Sequence, residues 1–181
     1  MPVEGPPVLE TPFDLERLQI RNECAADIDD ISRVTAEAFA PMPFGDGTEA
    51  QLIETLRAAG ALIVSLVATV DEVLVGHMSC SPVTIDRRPS SWFQLGPLSV
   101  APHLQGRGIG GALIASGLNR LRGLRASGCV LLGNPDYYGR FGFQSDPALT
   151  YQGRANRYFQ RLVLNGPPET GDVGFHAAFD T

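Results

Sequence analysis

Gln105-Gly106-Arg107-Gly108-Ile109-Gly110-Gly111 joins two apolar stretches of the chain. Residues 95–100 precede it, followed by the bend Ala101-Pro102-His103. After it, Ile109, Leu113, Leu118, Leu121 and Leu124 recur near helical spacing, which predicts a helix to about Arg125. Gly117 and Gly123 weaken that helix slightly. Glycines let a backbone approach a bulky anion, and the first N–H groups of a helix point at it unpaired. The stretch therefore reads as a cradle for a pyrophosphate.

Working outward, residues 18–21 read as a short strand and 27–39 as a helix carrying Ile28, Ile31, Val34, Ala38 and Phe39 on one side. Prolines and glycines over 41–47 mark a loop. Thr48, with Gln51 completing a capping box, predicts a second helix that runs to Ala59 and stops at Gly60. Residues 62–70 and 73–85 are rich in β-branched residues, and Asp71-Glu72 between them reads as a hairpin turn without its usual glycine. A turn over 86–91 and a strand over 93–100 follow, so three successive strands are antiparallel. Residues 129–132 form a short buried strand. The helix leading into it makes a βαβ crossover, which requires this strand to run parallel to 93–100. A helical turn over 136–141 and strands near 158–164 and 172–175 complete the chain. The fold class is α+β, with a mixed, mostly antiparallel central sheet flanked by helices and one parallel βαβ crossover.

The glycine stretch has two registers. Gly106-x-Gly108-x-x-Gly111 matches a dinucleotide-binding fingerprint. That motif opens a run of parallel strands and needs an acid closing the next strand. Here the preceding strands are antiparallel, and 129–132 leads into Gly133-Asn134. The other register is Gln105-x-x-Gly108-x-Gly110. Residues 98–111, with Asn134 and then Tyr138-x-x-x-Gly142-Phe143, resemble the GNAT superfamily of acyl-CoA-dependent N-acetyltransferases. The element order fits over roughly residues 16–145. More narrowly, Leu95-Gly96-Pro97-Leu98-Ser99-Val100 and the run from Asn134 to Phe143 resemble its bacterial YhbS-like branch.

The resemblance implies a donor, acetyl-CoA, used as a co-substrate. It places backbone contacts to the donor at Leu98, Ser99 and Val100, with the Val100 N–H polarising the thioester oxygen. It places the pyrophosphate over Gln105, Gly106, Arg107, Gly108, Ile109, Gly110 and Gly111. Gln105 is equally suited to bonding the loop's own backbone. Asn134 either meets the donor or caps the following turn, and Arg140 either pairs with a phosphate or sits in solvent. Tyr138 takes the general-acid position, and Tyr137 beside it reads as a packing residue. A phenol, with a reference pKa of about 10, stays protonated at neutral pH and can donate to a departing thiolate. No base is singled out among Glu37, Asp46, Glu49, Glu54, His77 and Asp86, and His77 reads as a core residue of a central strand.

Composition bounds the rest. At 181 residues one domain is expected, with 1–15 as a flexible leader and 16–181 as the transferase domain. No apolar run has membrane-spanning length, and the start lacks a basic signal-peptide region, so a cytoplasmic protein with no membrane partner is expected. Cys24, Cys80 and Cys129 lack metal or disulfide spacing, so no metal is expected and none is an obvious acyl carrier. Every basic residue is arginine. Residues 1–104 carry 6 Arg against 15 acids, whereas 105–161 carry 8 Arg against 2 Asp. A polyanionic donor suits the second segment and a cationic amine acceptor the first. The overall charge of −6 argues against nucleic acid. A homodimer is compatible with the sequence. The competing class is a CoA-binding sensor that does not turn over.

Overall fold

In the computed structural model, residues 14–43 and 45–180 are described. Residues 1–13 of the expected leader and Phe44 lie outside them. The chain runs β1 (Leu18–Asn22), α1 (Ile28–Phe39), α2 (Glu49–Ala58), β2 (Val64–Val70), β3 (Val73–Ile85), β4 (Arg88–Val100), α3 (Ile109–Gly123), β5 (Gly128–Leu132), α4 (Pro135–Tyr138), β6 (Leu149–Tyr151), β7 (Phe159–Val163) and β8 (Gly171–Gly174). The sheet order is β1-β2-β3-β4-β5-β7, while β8 bridges the end of β3 to β6. The expected mixed α+β architecture is present.

Two tight turns hold the antiparallel meander. Asp71 and Glu72 both take positive φ, 50° and 66°, as do Asp86 and Arg87, at 49° and 63°. Both are two-residue turns of the primed kind, formed here without glycine because the long ladders on either side over-determine them. The second is shorter than expected: β4 begins at Arg88, not at Phe93. At α2 the expected Thr48 cap fails. The Thr48 hydroxyl and amide both donate to Asp46 Oδ1, at 2.5 and 2.9 Å, so the upstream carboxylate organises the helix start. Gly60, at φ 67°, ends the helix as expected, with Ala61 N–H closing back on Leu56 O. β6 was not expected. It is three residues long and pairs in parallel with β8.

The sheet divides the interior. On one face α3 packs Leu113, Ile114, Leu118 and Leu121 onto Leu66, Met78 and Leu95. Gly76 admits this contact, since a Cβ there would lie 3.1 Å from a Leu113 methyl carbon. The other face is polar at its centre, where His77, Ser79, Ser81, Gln94 and Ser99 are all buried. α1 covers part of it. Tyr151, Phe159 and Phe175 stack beside it, with centroids 4.4 Å apart for Tyr151–Phe175 and 5.6 Å for Tyr151–Phe159.

β4 and β5 pair in parallel over only three positions, Trp92↔Gly128, Phe93↔Cys129 and Gln94↔Val130. Trp92 is fully buried and its ring lies on Gly128, within the space a methyl group would need. Gly128→Ala therefore forces the indole out of its seat. We expect a loss of about 1–3 kcal/mol, read as a lowered urea midpoint with an unchanged slope.

Candidate functional site

The glycine stretch folds as its composition requires. Gly106 and Gly108 adopt φ of 74° and 89°, where a Cβ is strained. Gly108 is the N-cap of α3, and no side chain caps the helix. The first intrahelical bond there is Ala112 N–H to Gly108 O at 3.0 Å. The amides of Ile109, Gly110 and Gly111 precede it and have no intrahelical acceptor. They face a cavity of about 550 Å³.

The opposite wall is the end of β4. Its pairing with β3 registers Gly76↔Val100, His77↔Ser99 and Met78↔Leu98. Ala101 N–H donates to Val75 O at 2.8 Å, which fixes the parity of the ladder. Hydrogen-bonded and non-bonded pairs alternate in antiparallel strands. Ser99 therefore spends its main-chain groups on His77, and Leu98 and Val100 turn theirs away from β3. β5 has already left the ladder after Val130, so these groups face a fork. Gln105 Nε2 donates to Val100 O at 3.0 Å, closing one of them from within the loop. The Val100 N–H stays directed at the fork.

Of the residues singled out in the sequence, Leu98, Val100, Gln105, Gly106, Gly108, Ile109, Gly110, Gly111 and Arg140 line this cavity. Ser99 does not join them. Its main chain is used by His77, and its hydroxyl lies 3.2 Å from Thr35 Oγ1 on the opposite sheet face. Arg107 is exposed and outside the lining. Asn134 caps α4, its Oδ1 accepting from Asp136 N–H at 3.0 Å. Arg140 reaches back to Tyr137 O through Nε at 3.0 Å and stacks on the Tyr137 ring, 4.6 Å from its centroid.

The two tyrosines part ways. Tyr137 lines the cavity with its hydroxyl over Gly110, 2.8 Å from where a Cβ would stand. The packing that its sequence suggests is present, against the core and Phe141; that it also lines the cavity follows from the placement of α4 against α3. Tyr138 turns the other way, onto Gly133 at the end of β5, and its ring meets Tyr137 edge-on at 4.9 Å. Burial, then the neighbouring Tyr137 and Cys129, pushes the Tyr138 phenol up to about 12. Burial also raises Tyr137, against the pull of Arg140. Both phenols are held in the protonated form.

The candidate bases scatter. Glu37 pairs with Arg33 at 3.6 Å, Asp46 caps α2, and Asp86 accepts from Asp172 N–H at 2.9 Å at a hairpin tip. His77 is fully buried in a polar cluster with Ser65 and Glu23. A second cavity of about 570 Å³ lies at the other end of α3, beside Glu23, Arg57 and Arg120. It is marginally larger, but it gathers none of the predicted site residues and no fork in the sheet.

The chain is similar to known proteins over most of its length. Residues 62–145 match the acetyltransferase (GNAT) domain. The uncharacterized N-acetyltransferase YhbS of Escherichia coli (strain K12) is 35% identical over 153 residues, covering 80% of this chain and 90% of that protein. The chain belongs to the GNAT family of N-acetyltransferases. Among solved GNAT structures, an acetyltransferase from Brucella melitensis in complex with acetyl-CoA superposes with TM-score 0.81 at 45% identity, over 90% of this chain and 98% of that one. The Escherichia coli YhbS structure in complex with CoA gives 0.82 at 31% identity, over 96% and 97%. The resemblance read from the glycine stretch and from Asn134 to Phe143 is thus the family of the whole fold.

In this GNAT chain Gly106 and Gly108 hold positive φ that a residue with a Cβ would meet as strain. Gly108→Ala places a Cβ in the left-handed region and should cost about 1–2 kcal/mol. Gly123→Ala, at a helical position with nothing within 4 Å, is the matched control and should be neutral or slightly stabilising. Calorimetric melting of the two variants checks the contrast.

Proposed function

We propose that the chain transfers the acetyl group of acetyl-CoA to a primary amine of a small molecule or peptide, directly, within a ternary complex. The observation that carries this reading is the convergence on one cavity of the α3 amides and the outward-facing Val100 N–H. The Brucella melitensis relative in complex with acetyl-CoA supports the choice of donor.

Ile109, Gly110 and Gly111 offer N–H groups to the donor's diphosphate, at roughly 1.5–3 kcal/mol for each hydrogen bond to a charged group. The start of α3 adds up to about 2 kcal/mol in a sheltered site. Arg140, on the rim, supplies a cation. Leu98 and Val100 present the edge of β4 to the donor's extended arm. The Val100 N–H, fixed by the strand, favours charge developing on the thioester oxygen. Tyr138, which the family resemblance puts in the general-acid position, is the proton donor of this reading; it does not line the cavity here, so its phenol must turn from Gly133 toward the fork to meet the leaving thiolate. Its proton is in place at neutral pH, although burial makes the phenol a weaker acid than an ordinary tyrosine.

Direct transfer is favoured over an acyl-enzyme by the cysteines. Cys80 and Cys129 are fully buried, and burial pushes the Cys80 thiol up to about 12 and Cys129 well above its usual range. Neither has thiolate character. Cys24 is exposed but does not line the donor cavity. The acidic balance of residues 1–104 favours a cationic acceptor. No helix among the described residues is long and apolar enough to cross a membrane. A cytoplasmic setting fits this reading.

Thiol release from acetyl-CoA, measured against amino acids, polyamines, aminoglycosides and peptide N-termini, tests the proposal. One amine class should give saturable release. Tyr138→Phe should slow transfer by about 10²-fold or more and leave CoA affinity within a factor of two or three. Unchanged turnover in that variant removes Tyr138 from the mechanism. Tight CoA binding with no amine-dependent release would instead make the protein a CoA sensor.

A further inference from the structure

Helix α1 crosses the polar face of the sheet, starting from the β1 edge. Arg21 of β1 donates to Asp27, the residue before the helix, at 2.7 and 2.9 Å. Farther along the helix, Thr35 Oγ1 lies 3.2 Å from Ser99 Oγ of β4. The sheet order is β1-β2-β3-β4-β5, so α1 travels toward the side of β4 on which β5 pairs. That pairing stops at Gln94↔Val130, and at the level of Ser99 the same side of β4 is the fork. α1 ends at Phe39, and Met42 follows in a turn. Met42 N–H donates to Phe39 O at 2.9 Å, and Gly45 N–H donates to Met42 O at 3.0 Å. Gly45 sits on the Phe39 carbonyl, within the space a Cβ would need. The turn is tight, and it holds a half-buried methionine where the helix overhangs the fork.

Met42 lines the donor cavity together with Leu98 and Val100. Every other lining residue among those described falls within 98–141. The Leu98 and Val100 side chains face α3, with Cδ2 of the first and Cγ2 of the second 4.0 and 3.8 Å from where a Gly110 Cβ would stand. Met42 arrives from the opposite face, the one to which the Ser99 hydroxyl points. The cavity therefore has walls from both faces of the sheet. It is a passage through the layer at the place that β5 has left.

We propose that Met42 sets the length of the acyl group the donor can carry, its thioether forming the wall at which an acetyl methyl stops. The inference rests on the donor placement of the transferase reading and deepens it. In that placement the thioester oxygen lies at the Val100 N–H, in the fork. The thioester carbon is planar and bears oxygen, sulfur and the acyl chain in three divergent directions. Sulfur leads back through the extended arm to the α3 amides. The acyl chain then points away from α3, to the α1 side, where Met42 stands. An acetyl group ends there in one methyl. A longer chain must displace the thioether. Methionine is unbranched and adaptable, so it yields by degrees, and the selection it imposes is graded.

Met42→Ala removes Cγ, Sδ and Cε and so makes room for the methylenes that butyryl adds to acetyl. With the best amine of the panel, the parent should prefer acetyl-CoA to butyryl-CoA by about 10²-fold in kcat/KM. In Met42→Ala that preference should shrink by about tenfold or more. Met42→Leu, which restores the volume, should return the ratio toward the parent's. Calorimetric affinities repeat the test without an amine. The parent should bind butyryl-CoA more weakly than acetyl-CoA, and Met42→Ala should narrow the gap. Free CoA, which has no acyl group, reports any general damage to the site. A parent that uses the two donors alike, or a Met42→Ala variant whose acyl ratio matches the parent's, overturns the assignment. A variant that alters the choice of amine and leaves the acyl ratio in place overturns it too, because the turn would then serve the acceptor. Should no amine be accepted, the transferase reading falls and the binding gap alone decides the role of Met42. Failure to bind any of the three CoA species overturns both.

Discussion

The structure depends on β4 and β5 parting company after three paired positions. A sheet interior pairs every amide and carbonyl, because a buried, unpaired main-chain group costs about as much as a lost hydrogen bond. Once β5 diverges, Leu98 and Val100 hold polar groups that no strand satisfies. The α3 start adds three more unpaired amides on the facing wall. These donors meet at one cavity, which on the proposed reading takes an extended, anionic ligand. Everything else positions them. The meander sets the β4 register, the α3 stripe pins the glycine loop against the sheet, and Trp92 on Gly128 holds the root of the fork.

The two sheet faces divide the chemistry. The α3 face is apolar up to the cavity and suits a donor whose only charged contact is at its phosphates. The α1 face carries a buried seam of hydroxyls, one imidazole and one carboxylate. Such a seam is costly unless its members are hydrogen-bonded to one another. Most of them are, through Ser65, Glu23, Arg57, Thr35 and Ser99. Two buried side-chain nitrogens among the described residues have no hydrogen-bond partner, His77 Nδ1 in this seam and Trp92 Nε1 beside Gly128.

What the sequence made legible was local. The glycine loop needs φ > 0 at Gly106 and Gly108, a property of those residues alone, and α3 announces itself by its apolar stripe. The parallel β4–β5 pair followed from the crossover rule. What stayed hidden depends on parity and on contacts between distant segments. Whether Ser99 or Val100 faces the fork turns on one step of register, and that register is reset by a bulge whose extra residue falls at Gly96-Pro97 of β4; the glycine and proline hint at a bulge there without fixing its parity. Tyr137 and Tyr138 are adjacent, so the choice between them rests on how four residues of α4 sit over Gly110. β6 is too short for a pattern and exists only because β8 pairs with it. The His77 cluster joins Glu23, Arg57, Ser65 and His77 from four separate elements.

Amide NMR during titration with CoA measures the central claim most directly. The account predicts saturable shifts of the Val100, Ile109, Gly110 and Gly111 amides, and a quiet C-terminal end of α3 around Asn119 to Gly123. Shifts confined to the second cavity beside Arg57 and Arg120, or none at all with folded protein, would contradict it.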